Sequence, residues 1–349
     1  MISFTRASLT RLAIHDVGNK GSGEELTCSK KEIQIKDDFL KDTLTRYFSS
    51  SFTTDIYHQF KTKADASLSS VRKSSKAIFD DPSCLMEESA EMARLLYDQS
   101  MHPKIKGGEF YTCYFKDVIV DGELCDAIGL FKTENKETYL KVYQHLNEFE
   151  LDYENGISIR KIDKGCLVFN TDRKNGYKLS VVDNNKAGIE CALYWEEDFL
   201  QSTLKTGAYY HTRNFMDASR GFCEEVLTEE NQVSKEDQRM MLNRSTAYFK
   251  EKDKFQMKDF EEQVLTQPEL VQAFRDYRQD FNKRLDLTAV DDFEISPTAV
   301  KKYQKYMRSV IKLDKNFHIY IHGRHDYVEK GYDEEKKLKF YKLYYVNED

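Results

Sequence analysis

Apolar and polar residues alternate, imperfectly, along Ile2–Val17, where Phe4, Leu9, Leu12 and Ile14 are available for burial before the Gly21-Ser22-Gly23 turn. A period near two is the pattern of a strand covered on one side, so a first strand and a turn are predicted here. From Asp37 the period lengthens. Phe39, Leu40, Leu44, Tyr47 and Phe48 recur at three-to-four spacing behind Asp37 and Asp38, which predicts an amphipathic helix with acids in its first turn, where the helix dipole favours them. The polar stretch Lys61–Lys76 is predicted as a loop followed by a short helix. Asp81-Pro82 starts the next helix, whose buried stripe is Leu85, Met86, Met92, Leu95, Leu96 and Met101 and whose end is marked by Pro103 and Gly107-Gly108.

Period two then returns. Phe110–Val120 and Glu123–Lys132 flank Asp121-Gly122, and residues 165–170 and 177–182 flank Asn175-Gly176. Both dipeptides suit the positive φ of tight hairpin turns, so two successive hairpins and an antiparallel sheet are predicted. After Trp195 the spacing is helical over 200–227, 234–250, 257–265, 268–285 and 297–313. Ser234 with Asp237 resembles a capping box, while Pro268 and Pro297 suit the first helical position, the latter behind Ser296. Strand character closes the chain in 317–321, 325–329 and 338–346. The expectation is an α+β chain: residues 1–227 form a domain around an antiparallel sheet with helices, and 228–349 form a mainly helical region ending in a small antiparallel sheet.

Composition supports two ordinary cores: 349 residues, 40% hydrophobic, with 22 Tyr and 22 Phe. Met1–Asn19 carries Arg6, Arg11, His15 and Asp16, which argues against an export signal. No run of about 18 apolar residues exists to span a membrane. The seven cysteines are odd in number, dispersed and lack a C-x-x-C pair, so a disulfide framework or zinc ribbon is not expected. A reducing, cytoplasmic setting fits. The net charge of −7 weighs against a uniformly basic polyanion binder, but binding depends on a local patch.

The order of three segments is informative. Lys164-Gly165-Cys166-Leu167-Val168-Phe169-Asn170 is followed by Val181-Val182-Asp183-Asn184 and then by Tyr194-Trp195-Glu196-Glu197-Asp198-Phe199-Leu200, after which comes a helical stretch with Thr212, Phe215 and Phe222. This arrangement resembles the bacterial NdpA-type nucleoid-associated family over most of the chain. The resemblance implies association with the nucleoid and binding of double-stranded DNA, with no catalytic residue, metal or cofactor to carry over. Strand and packing residues carry this signature, which speaks to fold before activity.

Three basic segments are candidates for phosphate contact. Lys301, Lys305, Arg308 and Lys312 fall at steps of four, three and four, hence on one face of the helix expected over 297–313. The alternative for that face is plain solvation. Lys61, Lys63, Arg72, Lys73 and Lys76 oppose only Asp65, a local excess of four cations, or else form an exposed loop. Lys336, Lys337, Lys339 and Lys342 interleave with Phe340, Tyr341, Tyr344 and Tyr345. That pattern suits single-strand stacking, or alternatively a core or dimer interface. His318, His322, His325 and Asp326 invite a metal reading against one of surface or packing histidines. Cys113 and Cys125 approach across the first hairpin or stay as free thiols. The function expected is DNA binding with little sequence specificity. The alternative is an adaptor recruited to the nucleoid by a protein partner, and a homodimer is left open.

Overall fold

The structure, a computed structural model, describes residues 2–61, 69–146, 148–184, 194–228, 231, 233–304, 310–313, 317–320 and 327–347. It has two compact units, Met1–Lys205 and Thr206–Asp349. The α+β class expected from the sequence is what is observed.

In chain order the first unit contains β1 (Ile2–Ser3), β2 (Ser8–Val17), β3 (Leu26–Cys28), α1 (Asp38–Ser49), β4 (His58–Phe60), α2 (Ser70–Asp80), α3 (Leu85–Gln99), β5 (Gly108–Val120), β6 (Glu123–Lys132), β7 (Glu137–His145), β8 (Glu148–Gly156), β9 (Lys164–Phe169), β10 (Lys178–Asp183) and β11 (Ser202–Leu204). A nine-stranded antiparallel sheet runs β11-β4-β10-β9-β6-β5-β2-β3, with β1 also on β5. It is covered on both faces. Along β5, Phe110 and Tyr114 join the core beneath α2 and α3, while Tyr111, Cys113 and Phe115 join the core beneath α1. Central β9 is therefore buried at every position, Lys164 included, and its Cys166–Phe169 run is apolar without alternation.

Local chemistry fixes the ends of these elements. The Asp37 carboxylate accepts the Leu40 N–H at 2.7 Å and starts α1, whose Phe48 ring stacks on Phe131 at 4.4 Å. The first hairpin forms as expected, with Asp121 at φ 50° and Gly122 at φ 86° between paired Val120 and Glu123. The second pairs Phe169 with Lys178, but a 3-10 turn at Arg173–Asn175 makes its connection longer than a two-residue turn. The basic stretch expected as mostly loop contains α2, capped by Ser69, whose hydroxyl accepts the Arg72 N–H. Among the described residues, strands β7 and β8 pair only with each other.

The second unit contains α4 (Ala208–Glu225), α5 (Lys235–Glu251), β12 (Lys254–Gln256), α6 (Met257–Phe260), which continues as a π-helix over Glu261–Leu265, α7 (Pro268–Arg284), β13 (Asp292–Glu294), α8 (Pro297–Tyr303), β14 (Val310–Leu313), β15 (Phe317–Tyr320), β16 (Val328–Asp333) and β17 (Leu338–Leu343). Its core is aromatic. The Phe215 ring centroid lies 4.2 Å from that of Phe255, 4.9 Å from Phe260 and 5.7 Å from Phe274. The sequence expectation divides the chain at 227, whereas the observed division precedes α4, because Phe215, Met216, Phe222 and Cys223 of that helix belong to this second core.

Two helical expectations are corrected. Residues 200–227 do not form one helix: Ser202–Leu204 is a strand paired with β4, and the helix begins at Ala208. The helix expected over 297–313 ends at Tyr303. Val310–Leu313 is a strand opposite Phe317–Tyr320, with Lys312 in register with His318. Val310 and Ile311 are β-branched and pair more favourably in a ladder than on a helix face.

Candidate nucleic-acid interface

Three separate segments of the first unit, 57–61, 201–205 and α2, gather at the turn Asp172–Gly176. Phe60 N–H donates to Gly176 O at 2.9 Å, Lys61 N–H to Gln201 O at 2.8 Å, and Lys205 N–H to Tyr57 O at 2.9 Å. From α2, the Arg72 guanidinium donates to the carbonyls of Arg173 and Lys174, each at 3.3 Å. Gly176 is required here. Its φ is 94°, and a Cβ would stand 2.6 Å from the Phe60 carbonyl oxygen.

This convergence gathers Lys61, Lys73, Lys76, Arg173, Lys174, Lys178 and Lys205. Lys76 and Arg173 share Asp80 at 2.6 and 2.7 Å, Lys178 meets Asp121 at 3.0 Å, and Lys205 pairs with Asp172. Three carboxylates thus pair with four of these seven cations. The Lys76 hydrogen bond, then that of Arg173, holds the Asp80 carboxyl below its usual range. Among the described residues no ion pair engages Lys61, Lys73 or Lys174, and all three are exposed. Tyr57, whose hydroxyl donates to Asp121 at 2.8 Å, lies under Lys178 with 4.9 Å from Nζ to ring centroid.

The residues singled out from sequence fare unequally. Lys61, Lys73 and Lys76 are exposed and belong to this surface, whereas Lys63 lies outside the described residues. Arg72 is 8% exposed and ties α2 to the turn, so its guanidinium is not presented to solvent; this corrects its reading as a phosphate contact. Arg173, Lys174, Lys178 and Lys205 escaped the sequence reading: the first three form a short basic run at the second hairpin, and their meeting with α2 and Lys205 depends on tertiary contacts.

In the second unit Lys301 is exposed on α8, but Lys305 and Arg308 lie outside the described residues and Lys312 stands on β14. Lys312, on a strand, does not share a helical face with Lys301, whose helix ends at Tyr303. On β17, Phe340 and the following Tyr344 and Tyr345 are exposed, while Lys342 and Lys336 have Glu329 and Asp333 as neighbours at 3.7 and 3.6 Å. His322, His325 and Asp326 fall outside the described residues, which elsewhere hold no metal-like group of three ligands. Cys113 is opposite Gly129 and Cys125 opposite Val118, so the two thiols do not face each other. Burial raises the thiol of Cys113 and pushes that of Cys125 up to about 11. A cleft of about 940 Å³ lies beside α7, but its Arg275 and Arg278 are held by Glu261 at 2.6 Å and Asp291 at 2.7 Å.

Two buried polar groups resemble chemistry and are wired for structure. His15 Nδ1 accepts the Ser29 backbone N–H at 3.2 Å, so the ring proton sits on Nε2 and is directed at Ser89 Oγ, 2.8 Å away. Ser89 in turn donates to Thr112 at 2.7 Å. A histidine that donates to the serine is the reverse of a general base. The second group is built by the signature segments. Lys164 Nζ meets Asp183 at 2.8 Å, and its register partner Lys132 reaches Lys106 O at 2.7 Å, the Tyr194 hydroxyl at 3.3 Å and Glu134 at 3.4 Å. The Tyr194 hydroxyl donates to Glu134 at 2.7 Å. Both lysines are buried, and burial lowers the Lys132 pKa. The motif is a closed, charge-balanced lock between β6, β9, β10 and the π-helix at Tyr194–Phe199.

Residues 13–339 match the family model of nucleoid-associated protein YejK. The chain belongs to that family. No curated protein matches it. As a YejK-family member it is a nucleoid-associated protein of a bacterial family, and no helix of the described residues is long and apolar enough to cross a membrane.

Proposed function

We propose that this YejK-family chain binds double-stranded DNA with little sequence specificity, through phosphate contacts from the surface around the Asp172–Gly176 turn. The observation that carries the reading is the gathering of seven cations, with Lys61, Lys73 and Lys174 exposed and outside any ion pair among the described residues, on a chain whose net charge is −7. Lysine and arginine on a surface without an element shaped for a groove engage the backbone and release counterions; they do not read bases. The chain acts as an architectural binder and not as an enzyme.

A salt titration with mixed-sequence duplexes tests this. Affinity is expected to fall linearly on a log–log plot and to be equal across sequences. Charge reversal at Lys61, Lys73 and Lys174 together lowers affinity for every duplex and reduces the slope by roughly 0.9 for each phosphate left without a cation. An unchanged isotherm rejects this surface. The same reversal at Lys301, Lys305, Arg308 and Lys312 measures what the second unit adds; weaker binding there, with the first set silent, moves the interface.

A second reading is favoured by the acidic total charge: an adaptor carried to the nucleoid by a protein partner. Retention of a partner after nuclease treatment, with purified DNA failing to bind, supports it over direct binding.

A further inference from the structure

The cations around the Asp172–Gly176 turn are not all presented alike. Lys61, Lys73 and Lys174 stand in solvent outside any ion pair among the described residues, whereas Asp80 holds Lys76 at 2.6 Å and Arg173 at 2.7 Å, and Asp172 holds Lys205. These contacts are wet: the side chains of Lys76, Arg173 and Asp80 are 61%, 41% and 43% exposed. Ion pairs so exposed hold only weakly, and another anion can displace the carboxylate. The turn does not need the charge at Asp172. Its φ of 55° is a conformation that Asn adopts as readily as Asp, and an amide oxygen accepts the Asn175 side-chain amide, now 2.8 Å away, as well as a carboxylate oxygen does. Asp80 likewise caps no helix start: its neighbour Asp81 accepts the Ser83 N–H, while the two oxygens of Asp80 face Lys76 and Arg173.

We infer that Asp80 and Asp172 are built-in competitors for phosphate: in the free chain they occupy Lys76, Arg173 and Lys205, and they surrender them to a duplex, so that the surface holds DNA more loosely than its cations alone would. This regulation rests on the DNA-binding reading above. A phosphate that replaces a carboxylate beside Arg173 or Lys205 gains a contact of the same kind as the one broken, and the net drive is the release of counterions from the duplex. Each displaced carboxylate then stands close to a phosphate, and their like charges oppose the approach. Lys76, Arg173 and Lys205 therefore contribute less than their number, and the unpaired Lys61, Lys73 and Lys174 carry the larger share. The result is a contact that forms and dissolves readily, with its strength set by carboxylates that the turn itself does not require.

The test is binding of the full chain to a mixed-sequence duplex between roughly 50 and 200 mM salt, for wild type, Asp80→Asn, Asp172→Asn and the double variant. Each single change is expected to raise affinity on the order of threefold at low salt, the scale of one exposed ion pair, and to steepen the salt dependence. The gain belongs mainly to the association rate. Lys205→Gln cancels the gain of Asp172→Asn, because that gain passes through one cation. Glu150→Gln, which removes a charge from β8 instead, is expected to change affinity by less than about twofold. If the pairs serve only to fasten α2 and β11 to the turn, breaking them displaces cations and affinity falls. Affinity unchanged or lowered in a folded Asp172→Asn chain, or a gain no larger than that of Glu150→Gln, overturns the inference and leaves the DNA-binding reading standing. Should Asp80→Asn fail to fold, Asp172→Asn decides alone. A wild type whose affinity is indifferent to charge reversal at Lys61, Lys73 and Lys174 overturns both.

Discussion

At the scale of single residues, the buried polar groups make the sharpest demands. His15 is almost fully covered, and burial, followed by the charge of Arg94, lowers its pKa to about 4 from 6.5. The folded state then binds fewer protons than the unfolded chain between those values, so stability is lost as pH falls from 6.5 towards 4 and no further below it. The shift corresponds to about 3 kcal/mol. Denaturant unfolding of wild type and His15→Phe at pH 7 and pH 4 checks this. Whatever the variant costs at pH 7, its acid-induced loss is expected to be smaller by about that amount, and equal losses reject the assignment. In the lock, Asp183→Asn leaves the Lys164 ammonium buried without its carboxylate, with an expected cost of about 3–5 kcal/mol. Replacing both, Lys164→Met with Asp183→Leu, is expected to recover most of that cost, because removing a buried pair together avoids the uncompensated charge.

At the scale of elements, local signals were reliable where they carried their own chemistry. The Ser234 and Ser296 caps, the helix start behind Asp37 and Asp38, the Pro268 start and the Asp121-Gly122 hairpin all stand where the residues indicate, because each rests on contacts within a few positions. The helix expected over 297–313 shows the converse. Its cation spacing fits a helical face, but Val310 and Ile311 find strand partners in 317–320, a pairing that propensity alone does not weigh. The short strands β4 and β11 were not legible, since three residues between longer neighbours offer no period; they exist because β10 offers an edge. At the junction they form, Gly176→Ala is expected to destabilise the first unit by roughly 1–3 kcal/mol through the left-handed φ and the close Phe60 carbonyl. It should also weaken DNA binding, without removing a charge, by displacing Lys61 from Lys174. Normal affinity in a folded variant would separate the turn from binding.

At the scale of the whole molecule, each unit has its own apolar core, so each is expected to unfold on its own. Calorimetry of the full chain should resolve more than one transition, and residues 1–205 expressed alone should fold and keep the salt-dependent part of DNA affinity. A single two-state transition, or absence of binding in a folded fragment, contradicts that division of labour. The sequence by itself determined the α+β class, most helix starts, the first hairpin and the family, because these depend on residue order and on contacts between near neighbours. Only the tertiary structure decided which cations act together. Arg72 belongs to the basic segment by sequence and turns inward to bind carbonyls, while Arg173, Lys174, Lys178 and Lys205 join the surface from about a hundred residues downstream. It also decided that, among the described residues, Leu140, Val142 and Leu151 of β7–β8 are exposed. Whether a strand's apolar side is buried depends on what packs over it, and the gathering of charge depends on distances in space. Neither is a property of spacing along the chain.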